Sequence, residues 1–179
     1  MSSFWWYFTR ATGMVATGLV IAALVWGFFF SARNTGIRRR PNWWLDLHNY
    51  LGGLALIFTG LHVVAAVLDR GSGLGVLQAL VPGTAGAQAW AVGWGVVAAH
   101  LFVVTVLTSW PRRRLSRRVW RAVHLGSVIG TVLAIVHALQ LGSDATGVLL
   151  RVELVLGVGI GVYALSVRLI DVAARRSSR

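Results

Sequence analysis

The sequence contains no cysteine and no lysine, and only five of its 179 residues are acidic. Without cysteine, disulfides, thiolate metal ligands and iron–sulfur clusters are all excluded. Charged residues make up 12% of the chain, about half the share that soluble domains carry. Hydrophobic residues make up 56% and lie in long runs. We therefore predict an all-α integral membrane protein.

Nucleotide-binding motifs are missing as well. No GxGxxG motif follows a strand-like run, and no Walker-type loop is present. The glycines at 157, 159 and 161 lie inside an apolar run, where we interpret them as sites of close helix contact. We predict one transmembrane domain over residues 1–179, with no soluble flavin or nicotinamide domain.

Five apolar runs are long enough to cross a bilayer, which takes about 20 residues. The predicted spans are residues 9–30, 44–68, 88–109, 119–140 and 147–170. The first span follows serines and aromatic residues, with no basic segment or cleavage site before it, so we interpret it as a retained helix and not a signal peptide. The longest link, residues 69–87, contains an apolar piece at 74–81 that we predict as a short interfacial helix.

The net charge of +12 is carried entirely by arginine. In a soluble protein this charge would favour nucleic-acid binding, but here the arginines flank the apolar runs, so we expect no nucleic acid. Fourteen of the 17 basic residues fall on one side of the predicted bundle. They are Arg33, Arg38, Arg39, Arg40, Arg112, Arg113, Arg114, Arg117, Arg118, Arg121, Arg168, Arg175, Arg176 and Arg179. The opposite side has Arg10, Arg70 and Arg151.

The positive-inside rule places the arginine-rich side in the cytoplasm. We therefore predict a multi-pass protein of the cell membrane with the N-terminus outside and the C-terminus in the cytoplasm. The all-arginine composition favours a bacterial source. Tryptophans near the predicted span ends fit an interfacial aromatic belt; they are Trp5, Trp6, Trp43, Trp44, Trp90 and Trp110.

Five histidines fall within the predicted spans or at their first turns: His48, His62, His100, His124 and His137. Ionisable residues inside a membrane are costly and are therefore functional candidates. His48 and His62 lie on the second span, fourteen residues apart. His124 and His137 lie on the fourth span, thirteen residues apart.

The second and fourth spans run in the same direction, because one span separates them. His48 is therefore predicted to lie at the depth of His124, and His62 at the depth of His137. Fourteen residues of α-helix measure about 21 Å, so two sites stack within a hydrocarbon core of about 30 Å. Imidazole is a good iron ligand, and a haem iron takes one from each side. We predict two b-type haems, an inner one held by His48 and His124 and an outer one held by His62 and His137.

Small residues accompany these histidines on one face of each span, which would leave room for a flat porphyrin. They are Gly52, Ala55 and Thr59 on the second span and Gly126, Gly130 and Ala134 on the fourth. The spacing of the two histidines on the fourth span does not fit this arrangement in a straight, regular helix. Thirteen residues turn a helix by roughly 140°, so His124 and His137 require a bend, a local π-bulge or an offset haem.

Other hypotheses remain for intramembrane histidines. Each histidine alone also fits a buried hydrogen-bonding residue or a proton relay. A small transporter or proton-conducting protein is therefore the second hypothesis, and a haem-free scaffold is the third. Transporters often have broken helices and inverted repeats, whereas these spans contain no proline and show no clear repeat.

Three further polar residues lie within the predicted spans or near their ends. His100 has no partner histidine at its depth; we interpret it as a buried hydrogen-bonding residue, with a quinone contact or an alternative ligand as the other reading. Arg10 lies near the outer end of the first span and is a candidate contact for the outer haem's propionates. Arg151 is a weaker candidate, and both arginines also fit snorkelling to lipid headgroups or, for Arg151, a local contact with Glu153.

Several motifs resemble a known family. They are Arg10-Ala-Thr-Gly13, Leu45-Asp-Leu-His48 with Leu51-Gly52, and Thr108-Ser109 followed by arginines, Leu115, Trp120 and His124. With the two histidine spacings, they look like the ferric reductase-like transmembrane domain over about residues 5–140. This domain is shared by ferric reductases, NADPH oxidases and the haem-binding membrane subunit of the methionine-sulfoxide reductase system. The resemblance implies b-type haem with bis-histidine ligation by His48, His62, His124 and His137.

The resemblance also suggests a role. We expect an oxidoreductase membrane subunit that passes electrons across the membrane and needs a separate donor, either a quinol or a flavoprotein. The acceptor would be an extracytoplasmic protein or small molecule. The flavin and nicotinamide domain of the larger members is missing here, which argues against direct oxidation of NAD(P)H.

Overall fold

The computed structural model describes residues 3–31, 43–109, 115–141 and 147–177. Within them the chain is helical: α1 Ser3–Ser31, α2 Trp43–Leu68, α3 Val76–Leu80, α4 Ala89–Ser109, α5 Arg117–Leu141 and α6 Val148–Ser177. A 3₁₀ turn, Gly86–Gln88, leads into α4. Five of these helices are long and apolar enough to cross a membrane. The predicted all-α architecture with five spans is thus confirmed, and the short α3 lies within the piece predicted at 74–81.

Large apolar side chains are exposed along all five long helices. Examples are Ile57 on α2, Leu107 on α4, Ile129 on α5 and Val155 on α6. A soluble monomer rarely exposes apolar patches this extensive, whereas lipid covers such a surface without a penalty. The bundle is therefore a multi-pass membrane protein.

The helices pack as two antiparallel pairs. Helix α1 packs against α2, and α4 packs against α5; α1 also contacts α5 and α6. Within the described residues α2 and α5 make no comparable helix–helix packing with each other. These two helices carry the four paired histidines, so the space between them is bridged by side chains and not by close backbone packing.

A buried apolar cluster occupies the middle of the bundle. It joins Val20 of α1, Ala55 of α2, and Ala98 and Phe102 of α4. Ala55 lies midway between His48 and His62 in the sequence, so this cluster separates the two histidine levels. We call it the central cluster.

A glycine of α6 permits close packing against α1. A Cβ built on Gly157 would lie 2.9 Å from the side chain of Ile21, so the predicted close contact of α6 is confirmed there. At 159 and 161 a Cβ meets no atom within 4 Å, so the prediction is wrong for these two glycines. Gly159 is exposed, and Gly161 borders a depression between α1, α5 and α6.

Part of the orientation signal lies outside the described residues. This applies to Trp110 and to Arg33, Arg38, Arg39, Arg40, Arg112, Arg113, Arg114 and Arg179. The described arginines on α5 and near the end of α6 lie at the same end of the bundle, which we call the arginine-rich end. The opposite end, which includes α3, is the α3 end. Which end faces the cytoplasm stays a prediction.

Candidate functional site

The structure brings the four paired histidines together as two facing pairs. The imidazole rings of His48 and His124 have centroids 5.9 Å apart, with 57° between the ring planes. Those of His62 and His137 have centroids 6.1 Å apart, with 83° between the planes. Sequence analysis predicted these partners from the matching depths of the histidines on two parallel helices. That the four histidines are haem ligands stays a prediction, to be judged on the geometry of the pairs.

The ring separations fit a shared metal ion. An imidazole nitrogen binds a transition metal at about 2 Å, and the ring centroid lies roughly 1 Å behind the nitrogen. Two imidazoles on opposite sides of one metal ion therefore have centroids about 6 Å apart. Both observed separations match this value.

The ring nitrogen Nδ1 of three histidines bonds to a backbone carbonyl of the neighbouring helix. The acceptors are Ala23 for His48 at 3.1 Å, Thr9 for His62 at 2.8 Å and Ala91 for His137 at 2.8 Å. A carbonyl only accepts, so each Nδ1 carries the proton and each Nε2 keeps its lone pair. Metal-binding histidines are usually held in this way, because the second bond fixes the tautomer and the ring orientation.

A glycine lies beside each of these three rings. A Cβ on Gly13 would come within 2.9 Å of His62 Nδ1, one on Gly27 within 3.2 Å of His48 Cε1, and one on Gly95 within 2.7 Å of His137 Nδ1. Each glycine stands four residues after the carbonyl that accepts the bond. In an α-helix the side chain at this position lies over that carbonyl. Glycine leaves the carbonyl open to the imidazole.

The fourth histidine is held differently. Nδ1 of His124 lies 3.4 Å from the hydroxyl oxygen of Ser109 on α4. The same hydroxyl donates to the carbonyl of Thr105 at 2.7 Å. The indole of Trp120 stacks on the His124 ring, with centroids 4.9 Å apart and 24° between the planes.

Helix α5 is a regular α-helix from Arg117 to Leu141, with no π-turn. Of the three alternatives given for the thirteen-residue spacing, the π-bulge is therefore excluded. The rings meet their partners at different angles, 57° at the His48–His124 pair and 83° at the His62–His137 pair. A bend of the helix or an offset haem stays a prediction.

The small residues on the two histidine helices have different roles. At Gly52 of α2 a Cβ meets no atom within 4 Å, which agrees with the room that we predicted there. A Cβ on Gly130 of α5 would lie 2.9 Å from the ring of Phe102, and Ala134 packs against the central cluster. The expectation of porphyrin room along α5 is therefore wrong, because this stripe packs against α4.

Two tryptophans carry buried donors that have no partner in the described part of the chain. These are the indole nitrogens of Trp44 and Trp120. Trp44 stands four residues before His48, and Trp120 stands four residues before His124, so each lies one helical turn from a histidine of the same pair. A buried N–H without an acceptor costs about 1–3 kcal/mol. A ligand with acceptor groups at this pair would remove that cost.

The remaining candidates lie apart from the pairs. His100 is exposed on α4, so its interpretation as a buried residue is wrong. Spacing along a helix fixes its depth but not whether a neighbour covers it. The Arg10 guanidinium carbon lies 3.9 Å from the ring centroid of Trp6; Arg10 directly follows Thr9, whose carbonyl accepts from His62. Arg151 is exposed at the start of α6.

The ligand set distinguishes a haem from a bare ion. Among the described residues no group of three or more histidine, aspartate or glutamate side chains is placed to hold a metal ion. Each pair offers two imidazole nitrogens, too few for a metal site built from protein alone. A porphyrin would supply four more nitrogens, so the residues present fit a haem held by two histidines.

Sequence comparison gives one match. The sequence model of the family described as Ferric reductase like transmembrane component matches residues 10–135. The matched segment covers more than half of the chain and contains His48, His62 and His124. It ends just before His137. Comparison with curated proteins and with solved structures gives no match.

Proposed function

The chain belongs to the ferric reductase-like transmembrane family, and from this premise we propose that it carries electrons across the membrane as a subunit of a reductase system. This family suggests transmembrane electron transfer, and the resemblance seen in the sequence motifs is confirmed. The observation that carries the proposal is the pair of facing imidazoles at each of two depths, 5.9 Å and 6.1 Å apart.

His48 and His124 would hold one b-type haem, and His62 and His137 a second. Haem iron changes between the ferric and ferrous states, so it accepts and releases single electrons. The chain supplies the ligands and their orientation. The carbonyls of Thr9, Ala23 and Ala91 keep three of the Nε2 atoms free of protons and directed away from the helix that accepts the Nδ1 bond.

The tryptophan donors would hold the carboxylates of the inner haem. Trp44 and Trp120 place an unpartnered indole N–H one turn from each inner ligand. Hydrogen bonds from a neutral donor to a carboxylate are strong where water is excluded. For the outer haem, Arg10 is the candidate, because it follows the carbonyl residue that orients His62.

The central cluster keeps water from the interior between the two sites. Val20, Ala55 and Phe102 fill this layer with apolar atoms. An apolar layer also argues against proton conduction, the alternative function, because a proton relay needs polar groups in sequence. The Nδ1 atoms of His48, His62 and His137 bond to helix carbonyls, so they do not form a chain with one another.

The α3 end offers a place for an electron acceptor. A depression of about 440 Å³ lies there, bounded by Pro82, Trp90 and Trp94. The two indoles have centroids 5.9 Å apart, and Trp94 adjoins Gly95, which contacts His137. We propose that electrons pass to an extracytoplasmic partner or small molecule at this end, and that a quinol or flavoprotein delivers them at the arginine-rich end.

The test is the visible spectrum of the purified protein, with haem counted per polypeptide. We expect a reducible b-type spectrum with two low-spin haems per chain. The His100→Ala variant is the matched control, because His100 is exposed and belongs to neither pair; it should keep both haems. A purified, folded protein without haem would contradict the proposal.

A further inference from the structure

Helices α1 and α4 contain the same structural pattern twice each, fourteen residues apart. The pattern consists of a carbonyl at the level of a histidine and a second residue four positions later. Its four instances are Thr9 with Gly13, Ala23 with Gly27, Ala91 with Gly95, and Thr105 with Ser109. Ser109 thus stands where the other three instances have glycine.

At Ser109, the exception, the facing histidine His124 is held differently from the other three. At the three glycine positions the imidazole reaches the carbonyl directly, as at His137, where Nδ1 lies 2.8 Å from Ala91 O. At the fourth, the Ser109 hydroxyl donates to Thr105 O at 2.7 Å and lies 3.4 Å from Nδ1 of His124. A hydroxyl donates one bond and accepts others. The His124 N–H therefore donates to the hydroxyl, which passes the interaction on to the carbonyl.

We infer that Ser109 is a positioning residue for His124, and that its hydroxyl tunes the reduction potential of the haem at the His48–His124 pair. The inference rests on the proposed function. An acceptor on Nδ1–H draws the proton away and makes the imidazole a stronger electron donor to iron. A stronger donor stabilises the ferric state and lowers the potential. The longer contact between His124 and the Ser109 hydroxyl stabilises the ferric state less.

The two sites differ consistently in this respect. Both Nδ1 contacts of the His62–His137 pair measure 2.8 Å. Those of the His48–His124 pair measure 3.1 Å and 3.4 Å. Hydrogen bonding to the ligands is therefore weaker at the arginine-rich end, and Ser109 makes the weakest of the four contacts. Of the four contacts, the one that Ser109 makes therefore contributes most to this difference between the two sites.

Three substitutions at Ser109 test this role by potentiometric titration of the visible spectrum. Ser109→Ala removes the hydroxyl while its methyl group still covers the Thr105 carbonyl, so one midpoint potential should rise. Ser109→Thr keeps a hydroxyl and should leave both potentials unchanged. Ser109→Gly uncovers the carbonyl, as at the other three positions, so the same potential should fall. The second haem should be unaffected in all three.

The outcomes separate this inference from the proposed function. If the wild-type protein binds no haem, the proposed function fails. If two haems are bound and Ser109→Ala leaves both potentials at the wild-type values, the inference fails and the function stands. The inference also fails if the midpoint potential rises in Ser109→Gly as it does in Ser109→Ala, because the Thr105 carbonyl would then have no role. If Ser109→Ala loses haem, the other two variants decide. A midpoint potential of Ser109→Gly that equals or exceeds that of Ser109→Thr contradicts the inference.

The shifted potential must also belong to the expected site. The variant His137→Ala lacks one ligand of the other pair and serves as the reference background. The Ser109→Gly shift should persist in this background, where only the His48–His124 haem remains. A shift that disappears there would place the effect at the wrong haem.

Discussion

At the scale of single residues, the four paired histidines form two independent units. Removing either imidazole of a pair would leave a single histidine to hold a haem at that level, while the other level, beyond the central cluster, would keep both of its histidines. We expect His48→Ala and His124→Ala to lose the same haem, and His62→Ala and His137→Ala to lose the other. Haem content should fall from two to one, and redox titration should identify which remains. Matching titrations for His48→Ala and His137→Ala would show that the pairing is wrong.

The glycines beside the imidazoles should be intolerant of even one methyl group. A Cβ at residue 95 would lie 2.7 Å from His137 Nδ1, so Gly95→Ala must displace the ring or the helix. Overpacking of this kind costs about 1–3 kcal/mol. We expect lower thermal stability and loss of low-spin haem at the His62–His137 pair. Gly159→Ala on α6 is the control, because a Cβ there meets no atom within 4 Å and α6 carries neither histidine pair; equal losses in both variants would argue against a specific contact.

The indole donors should matter through their N–H groups and not through their rings. Trp120→Phe keeps an aromatic ring against His124 but removes the donor that has no acceptor among the described residues. A hydrogen bond to a charged group is worth about 1.5–3 kcal/mol, so haem should dissociate from the His48–His124 pair at least tenfold faster. Transfer of haem to an acceptor protein measures this rate. An unchanged rate, equal to that of the exposed-residue control Trp90→Phe, would exclude a propionate contact.

At the scale of helices, the sequence predicted depth well and orientation around the helix axis poorly. Long apolar runs specify where a helix crosses a membrane, so the five spans and the level of each histidine followed from spacing alone. Which side chains a neighbour covers depends on tertiary packing. For this reason His100 proved exposed, and Gly130 proved to pack against Phe102.

The glycines beside the ligands were a signal that sequence analysis missed. Gly13 and Gly27 are separated by fourteen residues, the same separation as His48 and His62 on the antiparallel partner helix. Equal spacing on two consecutive spans would have indicated that these residues meet. Gly95 and Ser109 repeat the separation on α4, but their partners on α5 stand thirteen residues apart, which hides the correspondence.

The direction of the helices across the membrane remains to be measured. The arginine-rich end contains the end of α6, so the positive-inside rule predicts a cytoplasmic C-terminus. A reporter active only outside the cytoplasm should be silent when fused after Arg179, and active when inserted in the link 69–87, at the opposite end. The reverse pattern would exchange the inner and outer haem assignments. The ligand pairs themselves would be unaffected.

At the scale of the whole molecule, the bundle consists of two similar halves. In each half one helix carries two histidines and its antiparallel neighbour supplies the groups that accept from Nδ1: α1 supports α2, and α4 supports α5. The two histidine helices then face each other across the centre. Helix α6 packs on α1 and holds neither pair. The sequence showed no clear repeat because the halves share a few positions and not their general composition.

At this scale we predict that the bundle does not itself oxidise nicotinamides. A module with that activity requires βαβ units of about 30 residues or more with a glycine-rich turn, and the described residues contain only helices and short links. We therefore expect that NADPH alone does not reduce the purified haem protein rapidly. We propose that electrons come from a separate flavoprotein or from a quinol, most simply at the His48–His124 pair. Stopped-flow spectroscopy with NADPH, with and without a quinol, measures this. Slow reduction that a quinol or flavoprotein accelerates is the expected result, whereas rapid reduction by NADPH alone would show that the chain accepts electrons by a route that its helices do not reveal.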